Sequence, residues 1–392
     1  MDCDQRYKSA IDTILGLMRA GKVKYIDKEQ LTVLQPLYEE VLEGMRVAAG
    51  LFADKKVRMS IKNGRHMRMP NRSRYMPDEI ADFITAKMIS QVSYTATVGG
   101  RRLTIRFGIF SNSFEMTELE YCAQMIMSWV HTAVKYSDSR CGRVQTVDIY
   151  LTDYEKRFPR SSVVTLGTIH CNSAYSSVCA ERNEIVVYRS EEWFKVFVHE
   201  TFHSFGLEPS AGCESQLSAY VGGLLPIKPQ VRVSEAYVET WARIVNVVYA
   251  AIINGNGRDE FYTILRFSLQ LEALFSVYQA VLVLSFMNLG YESVTDKTSV
   301  AATMMYKENT HVFAYYVLTA AFMNDALGFV RWCSKHNTQW LQFYKSNRVC
   351  RSFERFIHER LYDGSMKKVS DLFKDQEWMH QGLRFTIVNS VI

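Results

Sequence analysis

The chain has 392 residues, 48% of them apolar and 22% charged, enough to bury a large core in about two or three subdomains. Its formal charge of +5 is only mildly basic and does not by itself single out an anionic partner. The start, Met1 to Arg6, has no apolar stretch after a basic beginning, and no run of eighteen apolar residues follows, so neither a secretory signal nor a transmembrane segment is expected.

From residue 4 to 51 the spacing predicts helices. Ile11, Ile14, Leu15 and Met18 recur on one face, as do Leu34, Leu37, Val41 and Met45. A basic run follows, with Lys55, Lys56, Arg58, Lys62, Arg65, Arg68, Arg72 and Arg74 in twenty positions that hold no carboxylate. Gly64, Pro70 and Pro77 argue against one continuous helix there. Such a run either meets an anionic partner, nucleic acid or a membrane surface, or pairs with acidic neighbours elsewhere in the chain. Tyr75 is the one aromatic close by, which gives base stacking little support and favours the second reading.

Residues 95–110 alternate apolar and polar side chains around Gly99-Gly100, a hairpin signal. Residues 115–136 read as an amphipathic helix, and 144–151, 163–169 and 184–188 as strands. Beyond residue 210 the pattern is helical over 233–251, 259–287, 310–324, 339–344 and 353–362, with Gly222-Gly223 and the stretch from Pro226 to Pro229 marking a loop. The longest apolar candidate, 273–289, is interrupted by Ser276, Tyr278, Gln279, Ser285 and Asn288 and reads as a buried helix. Eight cysteines are scattered without C-x-x-C spacing. With no secretory signal they are expected as reduced thiols in a cytoplasmic setting.

The most informative stretch is residues 193–208, W-F-K-V-F-V-H-E-T-F-H-S-F-G-L-E. Within it His199, Glu200 and His203 spell H-E-x-x-H. Residues four apart stand one above the other on a helix, so both imidazoles can reach a single metal ion while Glu200 projects beside them. Zinc suits such a site, because it takes imidazole nitrogens and keeps a position for water when the protein supplies three ligands. Phe194, Val196, Phe197, Val198 and Phe202 make the helix a buried one, and Gly206 and Pro209 end it. Pro209 stands where one peptidase group would have a third histidine, so the third ligand must lie elsewhere.

Further along, S-E-A-Y-V-E-T-W-A-R (residues 234–243) opens a second apolar-periodic helix. Together the two motifs resemble the gluzincin metallopeptidases, the class typified by thermolysin and neprilysin. The resemblance spans about residues 163–248 and is strongest at the two helices. It implies that Glu235 is the third zinc ligand and that Glu239 orients His199, although an aspartate is commoner at that place. It also implies an edge strand about thirty residues before His199 that pairs with an extended substrate; Asn172, Ala174 and Tyr175 resemble that strand, with Ser173 inserted. A Tyr or His of a downstream helical subdomain would stabilise the oxyanion, for which Tyr315 is the first choice, then His311, with Tyr220 behind them. Residues 184–203 and 310–322 also look like metallopeptidase-like proteins of large DNA viruses.

The resulting expectation is an α+β, zincin-like fold. A helical, partly basic extension (1–90) precedes a small mixed sheet with the H-E-x-x-H helix (91–210) and a helical subdomain carrying the third ligand (211–392). The expected function is zinc-dependent peptide-bond hydrolysis, with Glu200 as general base acting on a peptide or protein substrate. The alternative is a catalytically silent zincin-fold scaffold, of a virion for example, binding nucleic acid through residues 55–74. In that case a fourth protein ligand such as Cys213 would close the zinc site.

Overall fold

The computed structural model describes residues 5–23, 25–379 and 381–389; Cys3 and the residues Met1 to Asp4, on which the expectation of no secretory signal partly rests, lie outside them. The elements run in chain order α1 (Gln5–Arg19), α2 (Gln35–Ala53), β1 (Arg58–Asn63), α3 (Asp78–Lys87), β2 (Ser90–Val98), β3 (Arg101–Ile109), α4 (Met116–Ala133) and β4 (Val144–Thr152). After the short α5 (Thr168–Cys171) come β5 (Ala174–Ser176), β6 (Arg182–Arg189), α6 (Trp193–Ser204), α7 (Ala211–Leu224), α8 (Val233–Asn254) and α9 (Arg258–Phe286). Then follow α10 (Tyr291–Thr295), α11 (Val300–Met305), a π-helical segment (Phe313–Leu318) leading into α12 (Thr319–Met323), α13 (Ala326–His336), α14 (Asn347–Tyr362) and α15 (Ser365–Asp371).

This is an α+β protein with one six-stranded mixed sheet, in the order β1-β2-β3-β4-β6-β5. It forms two units rather than three consecutive segments. The sheet unit comprises Gln35–Glu155 and Asn172–Leu207; the helical unit comprises Met1–Leu34, Lys156–Cys171 and Glu208–Ser390. The segment 1–90 is therefore not a separate extension. Its residues beyond 34 supply α2, β1 and α3 to the sheet unit, because β1 pairs with β2 and α3 covers one face of the sheet.

In the sheet unit, β1, β2 and β3 are antiparallel, β3, β4 and β6 run parallel, and β5 lies antiparallel on β6 at the far edge. The β2–β3 hairpin turns at Gly99 (φ 53°) and Gly100 (φ 75°), both left-handed, as a two-residue turn that follows strand twist requires. One face packs against α3 through Met76, Ile80, Ile84, Tyr150, Val186 and Tyr188. On that face Arg106 donates to both carboxylate oxygens of Asp148, which is 1% exposed. Three cations of the basic run are paired with carboxylates: Arg68 binds Glu184 at 2.8 Å, Arg72 binds Asp78 at 2.6 Å and Asp82 at 2.5 Å, and Lys56 binds Asp54 at 2.8 Å.

In the helical unit, α8 is buried along most of its length, and Tyr237 and Trp241 anchor an aromatic cluster with Phe329, Phe343 and Trp340. By length and composition α8 and α9 could each cross a membrane, as could the bent pair Phe313–Met323 and Ala326–His336 if counted as one span. The expectation of no candidate span therefore does not hold at that level. In both α8 and α9, 89% of the apolar window is buried inside the protein, the other setting in which a helix is apolar all round.

Four further expectations are corrected. Residues 163–169 do not form a strand: Leu166 makes a single bridge to Glu308, and the Gly167 carbonyl then accepts from the amides of His170 and Cys171 to start α5. Residues 339–344 form a tight turn, with the Gln342 amide on the Gln339 carbonyl, because so short a pattern cannot repay helix nucleation. Gly222 and Gly223 sit within the last turn of α7, and the loop begins only at Leu225. The cysteines are not all reduced either: Cys141 pairs with Cys179 and Cys213 with Cys350, while Cys122, Cys171 and Cys333 are buried thiols outside these disulfides. Partners 38 and 137 residues apart leave no local spacing signature.

Replacing Arg106 by methionine would leave Asp148 buried without its cation. Chemical denaturation should then show a stability loss of about 3 kcal/mol, whereas replacing the exposed Arg140 should cost under about 1 kcal/mol.

Candidate metal centre

Helix α6 is stitched into the sheet unit at its C-terminal end. Asn183 of β6 donates to the Ser204 carbonyl, the Ser204 hydroxyl donates to Gln145 of β4 at 2.7 Å, and the Cys179 amide donates to the His203 carbonyl at 3.2 Å. The helix stops where Gly206 turns left-handed (φ 64°). The Gly206 amide bonds the His203 carbonyl and the Leu207 amide the Phe202 carbonyl, a Schellman ending of the helix. Trp129 of α4 stacks on Phe202 and donates its indole N–H to the Thr201 hydroxyl at 2.6 Å. With apolar packing on one side and both neighbouring strands holding its end, α6 presents its polar side chains in fixed positions.

His199 and His203 occupy one face of α6, with ring centroids 5.0 Å apart and Nε2 atoms 3.2 Å apart. His199, Glu200 and His203 keep 6–8% exposure on a helix whose Phe197, Val198 and Phe202 have none. One oxygen of the Glu200 carboxylate accepts the hydroxyl of Ser176 on β5 at 2.6 Å.

Strand β5 is an edge strand of the sheet, and its pairing decides what it exposes. The Tyr188 amide bonds the Ser173 carbonyl and the Ser177 amide bonds the Glu184 carbonyl. In this antiparallel register the main chain of Ser173, Tyr175 and Ser177 faces β6, so Ala174 and Ser176 present their N–H and C=O groups on the open edge. Tyr175 points its side chain to the α3 face, where its hydroxyl donates to the Asn71 carbonyl at 2.9 Å. The Asn172 carbonyl accepts from Arg189 Nε at 2.9 Å. Of the three residues singled out from sequence, Ala174 therefore keeps an outward main chain, Tyr175 is turned away from α6, and Asn172 is bound into the sheet. Ser176, missed from sequence, shares the α6 face with Ala174; the two-residue parity from Ala174 was the available signal.

Helix α8 begins at Val233, and its first amides are capped from outside. Glu214 of α7 accepts from the amides of Val233 at 2.9 Å and Ser234 at 2.7 Å, and burial pushes its carboxyl above the ordinary range. Sequence reading did not identify this cap. Glu235 follows in the first helical turn, 7% exposed. One turn on, Glu239 accepts from Arg243 Nε at 3.0 Å; Arg243 also donates to Ser276 and, at 3.3 Å, to the Tyr315 carbonyl. Among the described residues His199, His203 and Glu235 form the single group that could hold a metal ion: each offers one ligand atom, and these atoms lie within 4.8 Å of one another.

Tyr315 and His311 meet edge-on, with centroids 6.1 Å apart, as their four-residue spacing suggests, and Tyr315 also packs on Phe385. Tyr316 instead sends its hydroxyl to the Leu383 carbonyl at 2.6 Å. Tyr220 lies half-buried on α7. His170 accepts the Gly167 amide at 3.1 Å, a local structural role. The π-helical segment that carries Tyr315 is held at its start by Glu308, which accepts from the Phe313 amide at 2.7 Å and the Tyr306 hydroxyl at 2.8 Å. Segments of this kind recur at functional sites.

Compared with known proteins, the chain matches no family model, no curated protein and no solved structure.

Burial raises the Glu308 carboxyl from 4.5 to about 7. The folded state thus holds a proton that the unfolded chain has released, and the stability this group contributes is present below about pH 4.5 and is lost as the pH rises through about 7. Thermal melts across that range should show stability falling by about 1–3 kcal/mol in the wild type. The slope should flatten in Glu308→Gln.

Proposed function

We propose that this protein is a zinc-dependent metallopeptidase of the gluzincin type. The observation that carries the reading is the grouping of His199, His203 and Glu235 within 4.8 Å. The donor set fits zinc: two ligands about 2.0–2.1 Å from a tetrahedral zinc stand roughly 3.3 Å apart, and the two Nε2 atoms are 3.2 Å apart. Two imidazoles and one carboxylate leave room for a water, as a catalytic site needs. Cys213, which would favour a closed structural site, is engaged with Cys350 instead. The H-E-x-x-H helix packed on a mixed sheet that ends in a short edge strand supports a zincin-like arrangement.

When bound, zinc supplies a Lewis acid that acidifies a coordinated water and polarises a carbonyl. The chain's own residues do the rest. Glu200, placed by α6 beside the two imidazoles, takes the proton of the attacking water and returns it to the leaving amine. The open edge of β5 at Ala174 and Ser176 holds an extended peptide by main-chain hydrogen bonds, which positions substrate without reading every side chain. Glu239, fixed by Arg243, orients the ligand histidine, and Tyr315 or His311 donates to the oxyanion. Peptides and proteins are the substrate class.

Elemental analysis of purified protein should find about one zinc per chain, lost in both His203→Ala and Glu235→Ala. Glu200→Gln should keep the zinc and lose activity on a quenched-fluorescent peptide library by about 10²–10⁴-fold. Zinc retained in Glu235→Ala would overturn the ligand assignment, and full activity in Glu200→Gln would overturn the mechanism.

A further inference from the structure

We propose that Ser176 is the positioning residue of Glu200 and couples that carboxylate to the strand on which substrate lies; this rests on the metallopeptidase reading above. The Ser176 hydroxyl donates to Glu200 Oε2 at 2.6 Å and is the one side-chain hydrogen bond made to Glu200 among the described residues. A glutamate has three side-chain torsions, and a general base that samples them all is seldom aligned with its proton. Holding Oε2 restricts that motion and leaves Oε1 for the proton transfer. Glu200 is 8% exposed, so the bond lies where water competes weakly for the carboxylate.

The second half of the inference comes from register. Ser176 pairs with Ile185 of β6 at a position where its own N–H and C=O point to the open edge. The same residue therefore offers main-chain groups to an extended peptide and a side-chain hydroxyl to the base. A peptide that adds to this edge is placed relative to Glu200 through one Cα–Cβ–Oγ linkage. Tyr175 cannot serve, because its side chain lies on the α3 face, and Ala174 has no polar group to reach the carboxylate.

The test compares zinc-loaded full-length wild type, Ser176→Ala and Ser176→Thr, since threonine keeps the hydroxyl and suits a strand. Ser176→Ala should hold its zinc and melt within about 4 °C of wild type. Its kcat on the peptide library should fall about tenfold or more, with KM within about twofold, and Ser176→Thr should recover most of the loss. Calorimetry with acetohydroxamate, which binds zinc and hydrogen-bonds a neighbouring carboxylate, should show affinity weakened severalfold in Ser176→Ala and restored in Ser176→Thr. Wild-type kcat and hydroxamate affinity in Ser176→Ala would overturn the inference alone, as would loss of zinc from that variant, which would make Ser176 a support of the metal site. A zinc-loaded wild type that cleaves no library peptide and binds no hydroxamate would instead bring down the metallopeptidase reading, and this inference with it.

Discussion

A helix that buries two imidazoles and a carboxylate among phenylalanines and valines must give each polar group a partner, because an unsatisfied polar atom in such a place costs about 1–3 kcal/mol or more. Much of the sheet unit can be understood from that constraint on α6. Edge strand β5 supplies the hydroxyl for Glu200. Strands β4 and β6 hold the helix end through Gln145 and Asn183, and α4 fills the apolar side through Trp129. The imidazoles are set 3.2 Å apart at their Nε2 atoms, a distance that one shared proton or one shared cation would satisfy.

The helical unit meets the same constraint differently. Its longest helices are apolar enough for a membrane, yet they carry Glu235, Glu239, Arg243 and Glu272 as buried charges. Arg243 serves several at once: it bonds Glu239, stands 3.9 Å from Glu272, and reaches the carbonyl of Tyr315. Glu272 in turn accepts from the Thr386 hydroxyl and the Ile387 amide, so the C-terminal segment is built into this network rather than laid over it. Breaking one member of such a network strands the others, and a helix braced in this way resists small displacements.

The basic stretch illustrates how composition alone leaves the partners of a charge open. Eight cations without a local carboxylate suggest an anionic partner, but three of them find carboxylates from Asp54, Asp78, Asp82 and Glu184. Glu184 lies more than a hundred residues away in sequence and becomes a neighbour only because β6 enters the same sheet. The cysteines follow the same rule, since pairs 38 and 137 residues apart meet only in the folded chain.

What the sequence determined by itself is whatever depends on local periodicity. The four-residue spacing of His199 and His203, the helix around them, its end at Gly206, the Gly99-Gly100 hairpin and the helical run that starts near Glu235 could all be read there, because backbone geometry alone enforces them. The contact of His311 with Tyr315 was legible for the same reason. Tertiary structure alone decided the rest. It assigned residues 35–90 to the sheet unit, turned 163–169 and 339–344 away from regular elements, and placed Glu214 as the cap of α8. It also chose Ser176 over Tyr175 as the residue facing α6. A strand presents alternate side chains to opposite faces, and only its partner β6 settles which face each receives.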